Sequence, residues 1–336
     1  MNNTFIIAEA GANHDRKIEQ AFKLIDIAIE AGADAVKFQT YSADTMYSKN
    51  TPDFAQYKNV SKLIKSLELP REWQKDLLDY CSSKEIEFMS TPFDEKAVDE
   101  LYSLGVSRFK IAGFESTDPR FVKYIAATKL PLIISLGIGT SLDTMQEIYS
   151  WVKEVNEVPE VTFLHCNNAY PTPFKDINLG QMKEMMCVKP HEKVRIGLSD
   201  HTEGILTPPI AVSIGATVIE KHYTVNRNLP GPDHPFAIEP NELKSMVKNI
   251  RLVETMLGIK EAKYTKSEQD FSMARRSVVL NGNVGNGYIV TENNITTKRP
   301  LLNDSIPAIE YYSILGKTFN KDLVDDHILK WSDINE

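Results

Sequence analysis

The sequence predicts a (β/α)8 barrel followed by a small β-rich domain. Two observations carry this prediction: eight short apolar runs rich in β-branched residues recur along the chain, and helical patterns lie between them. Eight alternating units within about 250 residues are the number that closes such a barrel. The eight runs are residues 5–8, 35–38, 86–89, 108–111, 132–135, 161–164, 194–197 and 217–220.

The segments between the runs have the apolar spacing of crossover helices. Residues 21–31 and 95–104 place apolar side chains at intervals of three and four. A doubly wound sheet would show the same alternation of strands and helices. However, the first run is not followed by the glycine-rich fingerprint of a dinucleotide-binding sheet, so the barrel is the favoured fold.

The length of 336 residues exceeds the usual size of a single core and favours a second, smaller domain. A helical pattern runs from Asn241 to residue 257, and a polar stretch rich in lysine and glutamate follows it. Residues 276–280 and 284–289 predict short strands around a turn at 281–283. The predicted domains are therefore the barrel at 1–260, a linker at 261–275 and the β-rich domain at 276–336.

Composition and charge argue against several classes of protein. The formal net charge is −8 and no run of five basic residues occurs, which argues against a nucleic-acid-binding surface. The longest apolar runs, such as residues 130–136, fall far short of the roughly 20 residues that span a bilayer, and the first residues lack a basic and then apolar leader. Cys81, Cys166 and Cys187 are odd in number and lack metal-site spacing, so we expect reduced thiols. We therefore expect a cytoplasmic protein without nucleic-acid or membrane partners.

Polar groups end all eight predicted strands, and in a barrel these carboxyl ends build the active site. One polar strand end is most often a structural hydrogen bond, but eight together favour a function. The residues are Glu9, Asn13 and His14, then Lys37 and Gln39, Ser90 and Thr91, Lys110 and Glu115, Ser135, His165 with Asn167 and Asn168, Ser199 with Asp200 and His201, and Glu220 with Lys221 and His222.

Lys37 and Lys110 lie within apolar strands, where an unpaired ammonium group is costly to bury. Both lysines therefore need anions. Together with the hydroxyl groups of Thr91, Ser135 and Ser199 they would bind the phosphate and carboxylate of one small molecule. The alternative is that each lysine pairs with a carboxylate of the protein, such as Glu9 or Glu220.

His201 and His222 end consecutive strands, which are neighbours in a barrel, so their imidazoles can converge on one metal ion. Two protein ligands leave positions open for substrate and water, as a catalytic metal requires. Imidazole with oxygen ligands suits Mn²⁺, with Mg²⁺, Zn²⁺ and Co²⁺ as alternatives. A lone histidine at a strand end is usually only hydrogen-bonded.

Several segments, taken in order, resemble the sialic acid synthase family, which includes N-acetylneuraminate and legionaminate synthases. The resemblance covers essentially the whole chain, and residues 275–331 resemble the antifreeze-like (SAF) domain of that family. The matching segments are IIAEAGANH (6–14), AGADAVKFQT (31–40), STPFD (90–94), LHCNN (164–168), YPTP (170–173), GLSDHT (197–202), EKHYT (220–224), PGPDH (230–234), KRP (298–300) and LGK (315–317).

The resemblance implies that the protein joins phosphoenolpyruvate to an N-acylated amino-sugar aldehyde, either N-acetylmannosamine or a 2,4-diacetamido-6-deoxy hexose. His201 and His222 match the metal ligands, and with Lys110 and Glu9 they are the predicted catalytic residues; Glu220 is a second candidate for proton transfer. The predicted phosphoenolpyruvate contacts are Lys37, Thr91, Lys110, Ser135, Asn168 and Ser199, and the predicted acceptor contacts are Glu9, Gln39, Glu115, Tyr170 and Asp233.

Arg299 matches an arginine that reaches the N-acyl group from the partner subunit. The resemblance therefore implies a homodimer in which each small domain completes the active site of its neighbour. Three positions depart from the family pattern. Gly113 replaces a serine that contacts phosphate, Leu136 replaces a threonine, and residues 301–306 replace a glycine-rich turn.

Two other functions are compatible with these residues. A Schiff-base aldolase would use Lys110 or Lys221 as its nucleophile. A barrel that binds carbohydrate without catalysis is the second, and Gly113 and the altered turn would fit it. The retention of both histidines and both buried lysines favours the synthase.

Overall fold

Eight parallel strands form one sheet, so the predicted barrel is confirmed. The computed structural model describes residues 3–53, 58–258 and 265–335. The strands are β1 (Phe5–Glu9), β2 (Ala35–Thr40), β3 (Glu87–Pro92), β4 (Phe109–Ile111), β5 (Leu132–Leu136), β6 (Val161–Cys166), β7 (Arg195–Asp200) and β8 (Val218–His222). They pair in the order β3-β2-β1-β8-β7-β6-β5-β4, and β3 and β4 contact each other, which closes the barrel.

Helices follow the strands and cover the outside of the barrel. They are α1 (Ile18–Ala31), α2 (Ala43–Met46), α3 (Val60–Leu67), α4 (Trp73–Ser83), α5 (Glu95–Leu104), α6 (Pro119–Ala126), α7 (Leu142–Val155), α8 (Leu179–Val188), α9 (Thr207–Ser213) and α10 (Pro240–Met256). Several begin at side-chain caps: Asp94 accepts a hydrogen bond from the Ala97 amide, and Asp118 accepts from Arg120 and Phe121. None of the helices in the described ranges has the length and apolar character needed to span a bilayer.

Side chains of each strand point alternately to the helices and to the barrel interior. A large apolar cluster between strands and helices includes Ile6, Val36 and Phe38. The interior has its own apolar layer, formed by Ile7, Ala35, Met89, Ile133, Leu164 and Val218. Gly197 fits this interior because a Cβ atom there would lie 2.3 Å from the Val218 carbonyl oxygen. The layer fills the amino-terminal half of the barrel, so the polar residues that follow it lie at the carboxyl ends.

The chain makes an excursion between β2 and α4, and this excursion carries α2 and α3. The apolar residues of α3 follow the spacing of one helix face: Val60, Leu63, Ile64 and Leu67. Asn59 caps the helix by accepting a hydrogen bond from Lys62, and the Tyr41 hydroxyl donates to the Leu67 carbonyl at 3.0 Å. Because Tyr41 directly follows β2, this contact holds α3 beyond the carboxyl end of that strand.

The chain divides into two compact units, Met1–Gly258 and Ile259–Glu336. The second unit contains two antiparallel strands, β9 (Ser277–Leu280) and β10 (Ile295–Lys298), and its own apolar core with Val278, Leu280 and Phe319. Within the predicted linker 261–275, residues 261–264 lie outside the described residues, and Gln269–Ala274 forms a 3₁₀ helix.

One of the two strands predicted for the second unit is wrong. Residues 284–289 contain only isolated bridges, from Val284 to Leu323 and from Ile289 to Thr318. The backbone of Gly287 has a φ of +84°, which interrupts an extended strand. The strand that pairs with β9 is β10 instead.

Candidate active site

A cavity of about 450 Å³ opens at the carboxyl ends of the barrel strands. Most of the residues predicted from the sequence to form the site line this one cavity. They are Glu9, Lys37, Gln39, Thr91, Lys110, Ser135, Asn168, Tyr170, Ser199, His201, His222 and Asp233. These residues converge because parallel strands in one barrel bring their carboxyl ends together.

The alternation of side chains along β7 and β8 decides which polar residues reach the cavity. Ser199, Glu220 and His222 line it, whereas Asp200 and Lys221 are not among the described residues that do. Lys221 Nζ lies 2.7 Å from Asp200 Oδ2, and both side chains are buried. This pair links the two strands on the face opposite the cavity, so Lys221 is poorly placed to attack a substrate there.

The buried lysines of the cavity pair with carboxylates of the protein, which is the alternative that the sequence left open. Lys37 Nζ lies 2.6 Å from Glu9 Oε2 and 3.6 Å from Glu220 Oε2, and it donates a hydrogen bond to Thr91 Oγ1 at 2.8 Å. Lys110 Nζ lies 3.3 Å from Glu220 Oε1. Glu220 therefore bridges the two lysines.

The two carboxyl groups of this cluster differ in their tendency to ionise. Burial raises the pKa of Glu9, and the attraction of Lys37 offsets only part of this rise. Burial also acts on Glu220, but Lys110 and Lys37 together outweigh it and lower the Glu220 pKa below its ordinary value. Glu220 is therefore the permanent counter-ion of the lysines, and Glu9 is the carboxyl group that can exchange a proton near neutral pH.

His201 and His222 lie side by side, with ring centroids 5.4 Å apart. His201 Nδ1 lies 2.7 Å from the Asn167 carbonyl oxygen, so it carries the hydrogen and donates it, which leaves Nε2 with a free lone pair. Burial lowers the pKa of both histidines, and for His222 the neighbouring His201 lowers it further. Both rings are therefore neutral at neutral pH, the form in which imidazole binds metal.

The nitrogen atoms of these two rings fit a metal ion. His222 Nδ1 is buried without a hydrogen-bond partner among the described residues, and Asp233 Oδ2 lies 3.9 Å from it. Within the same residues, no three side chains of His, Cys, Asp or Glu are grouped to hold a metal. The first unit thus offers two imidazoles, and further ligands would come from substrate or water.

Asp233 is held against the loop that follows β1. Its Oδ2 atom accepts a hydrogen bond from the Ala12 amide at 3.1 Å. Gly11 has a φ of +50°, and a Cβ atom there would lie 2.6 Å from the same oxygen, so only glycine allows this approach.

His234 is a residue that the sequence reasoning did not single out. Its Nε2 atom lies 2.9 Å from Asp15 Oδ1, and its Nδ1 atom lies 2.6 Å from Thr224 Oγ1. The imidazole is fully buried and joins the loops after β1 and β8 next to Asp233. Its position beside Asp233 in the segment 230–234 was the available signal.

Asn168 and Tyr170 lie on the β6 side of the cavity. The Tyr170 ring packs on His201 with 4.3 Å between centroids, and Asn168 Oδ1 accepts a hydrogen bond from the Ile138 amide at 2.8 Å. Gly113 lies beside the Asn168 side chain, because a Cβ atom at position 113 would be 3.1 Å from Asn168 Oδ1. The departure noted in the sequence thus falls at the cavity wall.

Two predicted site residues do not line the cavity. Glu115 is partly buried, and its Oε2 atom has no hydrogen-bond partner among the described residues. Burial raises the pKa of Glu115 to about 7. Arg299 is exposed and belongs to the second unit. The roles of both residues stay predictions.

Apolar and aromatic side chains form much of the remaining cavity lining and were missed in the sequence. They are Tyr41, Met46, Tyr47, Val60, Leu63, Ile64, Leu67, Phe93, Phe114, Ile138 and Phe236. Many of them lie on the excursion that contains α2 and α3. The helical spacing of residues 60–67 could have identified an apolar face, but not the surface that it meets.

Two protein-family models match this chain. The family model described as NeuB family matches residues 24–262, and the SAF domain model matches residues 275–335. The chain belongs to the NeuB family. The family resemblance predicted from the sequence is therefore confirmed.

Relatives and solved structures cover nearly the whole chain. An N,N'-diacetyllegionaminic acid synthase of Legionella pneumophila is 38% identical, over 98% of this chain and 94% of the relative. A pseudaminic acid synthase of Campylobacter jejuni is 34% identical, over 98% and 96%. A crystal structure of N-acetylneuraminic acid synthetase from Leptospira borgpetersenii in complex with citrate has a TM-score of 0.72 and 33% identity, over 80% of this chain and 90% of that chain.

Proposed function

We propose that this member of the NeuB family condenses phosphoenolpyruvate with an N-acylated amino-sugar aldehyde and water. The products are a nine-carbon 2-keto sugar acid and phosphate. The observation that carries the proposal is one cavity in which two buried lysines lie beside two neutral histidines. The names of the relatives, which are synthases of legionaminic and pseudaminic acids, support the same class of reaction.

The lysines and hydroxyl groups of the cavity are suited to phosphoenolpyruvate. Lys37 and Lys110 supply charge, and Thr91 and Ser199 supply hydroxyl groups next to them. The Ser135 hydroxyl group is buried and has no oxygen or nitrogen partner among the described residues. A buried polar group without a partner is costly, and an anionic oxygen of the substrate would satisfy it.

A divalent cation, for which we propose Mn²⁺ with Mg²⁺ or Co²⁺ as alternatives, would be held by His201 and His222. When bound, it would polarise the oxygen of the sugar aldehyde. The hydrogen bond from His201 to Asn167 and the packing of Tyr170 fix the ring that would bind it.

The reaction forms one carbon–carbon bond and breaks one carbon–oxygen bond. C3 of phosphoenolpyruvate bonds to the aldehyde carbon, and the aldehyde oxygen gains a proton. Water adds to C2 and loses one proton, which leaves a hydroxyl group on C2. The bond between C2 and the phosphate oxygen then breaks, phosphate leaves with the electron pair, and the hydroxyl proton passes to the departing phosphate as C2 becomes the keto carbon. Lys110 faces the negative charge that develops, and Glu9, with its raised pKa, exchanges the protons.

The resemblance to the family also supports a role for the second unit. We propose that Arg299 contacts the N-acyl group in the active site of a partner subunit, so that the active form is a homodimer. Arg299 is exposed on the second unit, as such a contact requires.

Phosphate release from phosphoenolpyruvate tests the proposal directly. The purified protein is assayed with Mn²⁺ and again with EDTA, across a panel of N-acylated amino sugars. Release that needs both an acceptor and a metal is the expected result. Release without metal, together with borohydride trapping of a keto acid on Lys110, would replace the proposal with a Schiff-base aldolase. No release with any acceptor from folded, metal-loaded protein would favour a barrel that binds carbohydrate without catalysis.

A further inference from the structure

The backbone pairing between β7 and β8 ends just before the two histidines of the cavity. The last described pair of this ladder places Asp200 opposite Lys221. His201 follows the last residue of β7, and His222 is the last residue of β8. The described ladder therefore ends one residue short of the two imidazoles that must lie close together to share a cation.

Each histidine is fixed to a different neighbour in the barrel. The His201 carbonyl oxygen accepts a hydrogen bond from the Thr172 amide at 2.8 Å, and its Nδ1 atom donates to the Asn167 carbonyl oxygen. Both partners belong to the loop after β6. His222 instead pairs with Glu9 of β1. These contacts hold the two histidines from opposite sides, and they do not set the separation of the two rings.

A buried ion pair on the face opposite the cavity bridges this gap. Lys221 Nζ lies 2.7 Å from Asp200 Oδ2 and also donates a hydrogen bond to the Thr202 carbonyl oxygen. Asp200 and Thr202 are the residues on either side of His201, and Lys221 directly precedes His222. One ammonium group therefore joins both neighbours of the first histidine to the residue before the second.

The ion pair is closed to solvent and has several further hydrogen bonds. Asp200 Oδ1 accepts from the Thr202 amide at 3.0 Å, and Asp200 Oδ2 accepts from the Thr202 hydroxyl group at 3.1 Å. The exposed fraction is 1% for Asp200 and Lys221 and 0% for Thr202. A buried ion pair adds little net stability compared with apolar residues, because both charges lose their hydration, but it can enforce one arrangement of the chain.

We propose that Asp200 and Lys221 are positioning residues that set the separation of His201 and His222, so that both imidazoles can hold one divalent cation. This inference rests on the metal assignment in the function proposed above. Asp200 and Lys221 are not among the described residues that line the cavity. They therefore act through the backbone of the two strands.

Charge and position make opposite predictions for Lys221. Removing an ammonium group near a cation site reduces electrostatic repulsion, so charge alone predicts tighter Mn²⁺ binding by Lys221→Met. Loss of positioning predicts binding that is weaker by about 10- to 100-fold, the range typical of partners that orient metal ligands. The double variant Asp200→Asn/Lys221→Met removes both charges together. Its net charge is unchanged and no buried carboxylate is left without a counter-ion, so it should fold.

Calorimetry measures Mn²⁺ binding to the full-length wild-type protein, Lys221→Met and the double variant, without any acceptor. Both variants should bind Mn²⁺ at least about tenfold more weakly, whereas their affinity for phosphoenolpyruvate in EDTA should stay unchanged. The visible absorption spectrum of bound Co²⁺ should also change, because it depends on the arrangement of the ligands.

The matched control is Glu87→Gln/Arg108→Met. It removes a partly exposed ion pair of 2.6 Å that joins the starts of β3 and β4, far along the strands from the cavity. Binding of Mn²⁺ and of phosphoenolpyruvate and the Co²⁺ spectrum should all stay as in the wild type. An effect on Mn²⁺ as large as that of the Asp200–Lys221 variants would show that any lost ion pair between strands suffices, and would overturn the inference.

The outcomes separate this inference from the proposed function. Mn²⁺ binding that is equal in the wild type and the folded double variant, or tighter in Lys221→Met, overturns the inference and leaves the proposed function intact. A parallel loss of Mn²⁺ and phosphoenolpyruvate binding indicates general damage and also overturns it. Wild-type protein that binds neither Mn²⁺ nor Co²⁺ contradicts the metal of the proposed function, and the inference falls with it. If the double variant does not fold, Asp200→Asn, which keeps the shape of the side chain, decides: an unchanged Mn²⁺ affinity and Co²⁺ spectrum overturn the inference, and changes in both support it.

Discussion

Replacing Glu115 by glutamine should change the way in which the stability of the protein depends on pH. Burial raises the pKa of Glu115 from 4.5 to about 7, and a hydrogen bond from its own backbone amide and the charge of Lys110 only partly oppose the rise. The folded protein therefore binds this proton more tightly than the unfolded chain does. Its contribution to stability is complete below pH 4.5 and is lost as the pH rises to about 7.

The size of the effect follows from the two pKa values. Each unit of pKa corresponds to about 1.4 kcal/mol, so ionisation of a fully buried Glu115 would cost the folded state about 3 kcal/mol at pH 8. The residue is partly exposed, and solvent screening reduces this figure, so we expect about 2 kcal/mol. Glu115→Gln removes the ionisation and keeps the shape of the side chain. Relative to wild type, the variant should gain about 2 kcal/mol of unfolding free energy between pH 5 and pH 8.

Urea denaturation of both proteins at pH 5 and pH 8, in the presence of EDTA, measures this difference. Any other group that titrates in this range affects both proteins alike, so its effect cancels when only the difference between variant and wild type is used. Glu157→Gln removes an exposed carboxylate and controls for the change in net charge. If wild type and Glu115→Gln change in parallel between the two pH values, Glu115 does not hold a proton in the folded state, and the reasoning from its burial is refuted.

Three further predictions concern substrate and metal binding. His222→Gln should abolish metal-dependent phosphate release and weaken Mn²⁺ binding measured by calorimetry; near-normal rates with metal would contradict the metal assignment. Arg299→Ala should raise the KM for the acceptor about tenfold or more, as expected for a lost charged hydrogen bond, and equal changes in the KM for phosphoenolpyruvate would argue against an N-acyl contact. His234→Gln loosens the loop that positions Asp233, so the acceptor KM should rise while phosphoenolpyruvate binding is retained; a proportional loss for both substrates would indicate general damage to the barrel.

The sequence located all eight barrel strands but ended several of them too early. The predicted runs stop at residues 8, 38, 164, 197 and 220, whereas the corresponding strands continue to Glu9, Thr40, Cys166, Asp200 and His222. The apolar pattern breaks at these points because the side chains that follow are polar. In the barrel those side chains are satisfied by one another, as Glu9 is by Lys37 and Gln39, so the backbone stays in the sheet. The points at which the predicted strands end too early therefore mark the polar residues of the candidate site.

Side chains alternate between the two faces of a strand, and this alternation predicts which polar residues at the strand ends face the cavity. Glu220 and His222 are two residues apart and face the same side, whereas Lys221 faces the other. In the same way, Ser199 faces the cavity and Asp200 faces the other side of β7. Applied to the sequence, this rule would have excluded Lys221 as a nucleophile before the structure was known.

The apolar lining that α3 gives to the cavity and the position of His234 follow from long-range contacts that local patterns do not contain. The spacing of residues 60–67 predicts an apolar face, but whether that face meets the barrel core, the second unit or a substrate depends on the path of the excursion. His234 likewise bonds to Asp15, a residue 219 positions away in the chain. Such contacts are properties of the closed barrel.

The cavity is lined partly by strand ends and partly by α3, and this affects how its specificity can change. The strand-end residues of the cavity belong to paired strands, so a substitution that moves one of them disturbs the neighbouring strands as well; Glu9, for example, pairs with Lys37 on one side and with His222 on the other. The residues of α3 that line the cavity belong to an excursion whose described residues contribute no strand to the barrel. A change on α3 can therefore alter which sugar is accepted while the lysines, Glu220 and the histidines keep their geometry. This is the reason to seek acceptor specificity on α3 and the chemistry at the strand ends.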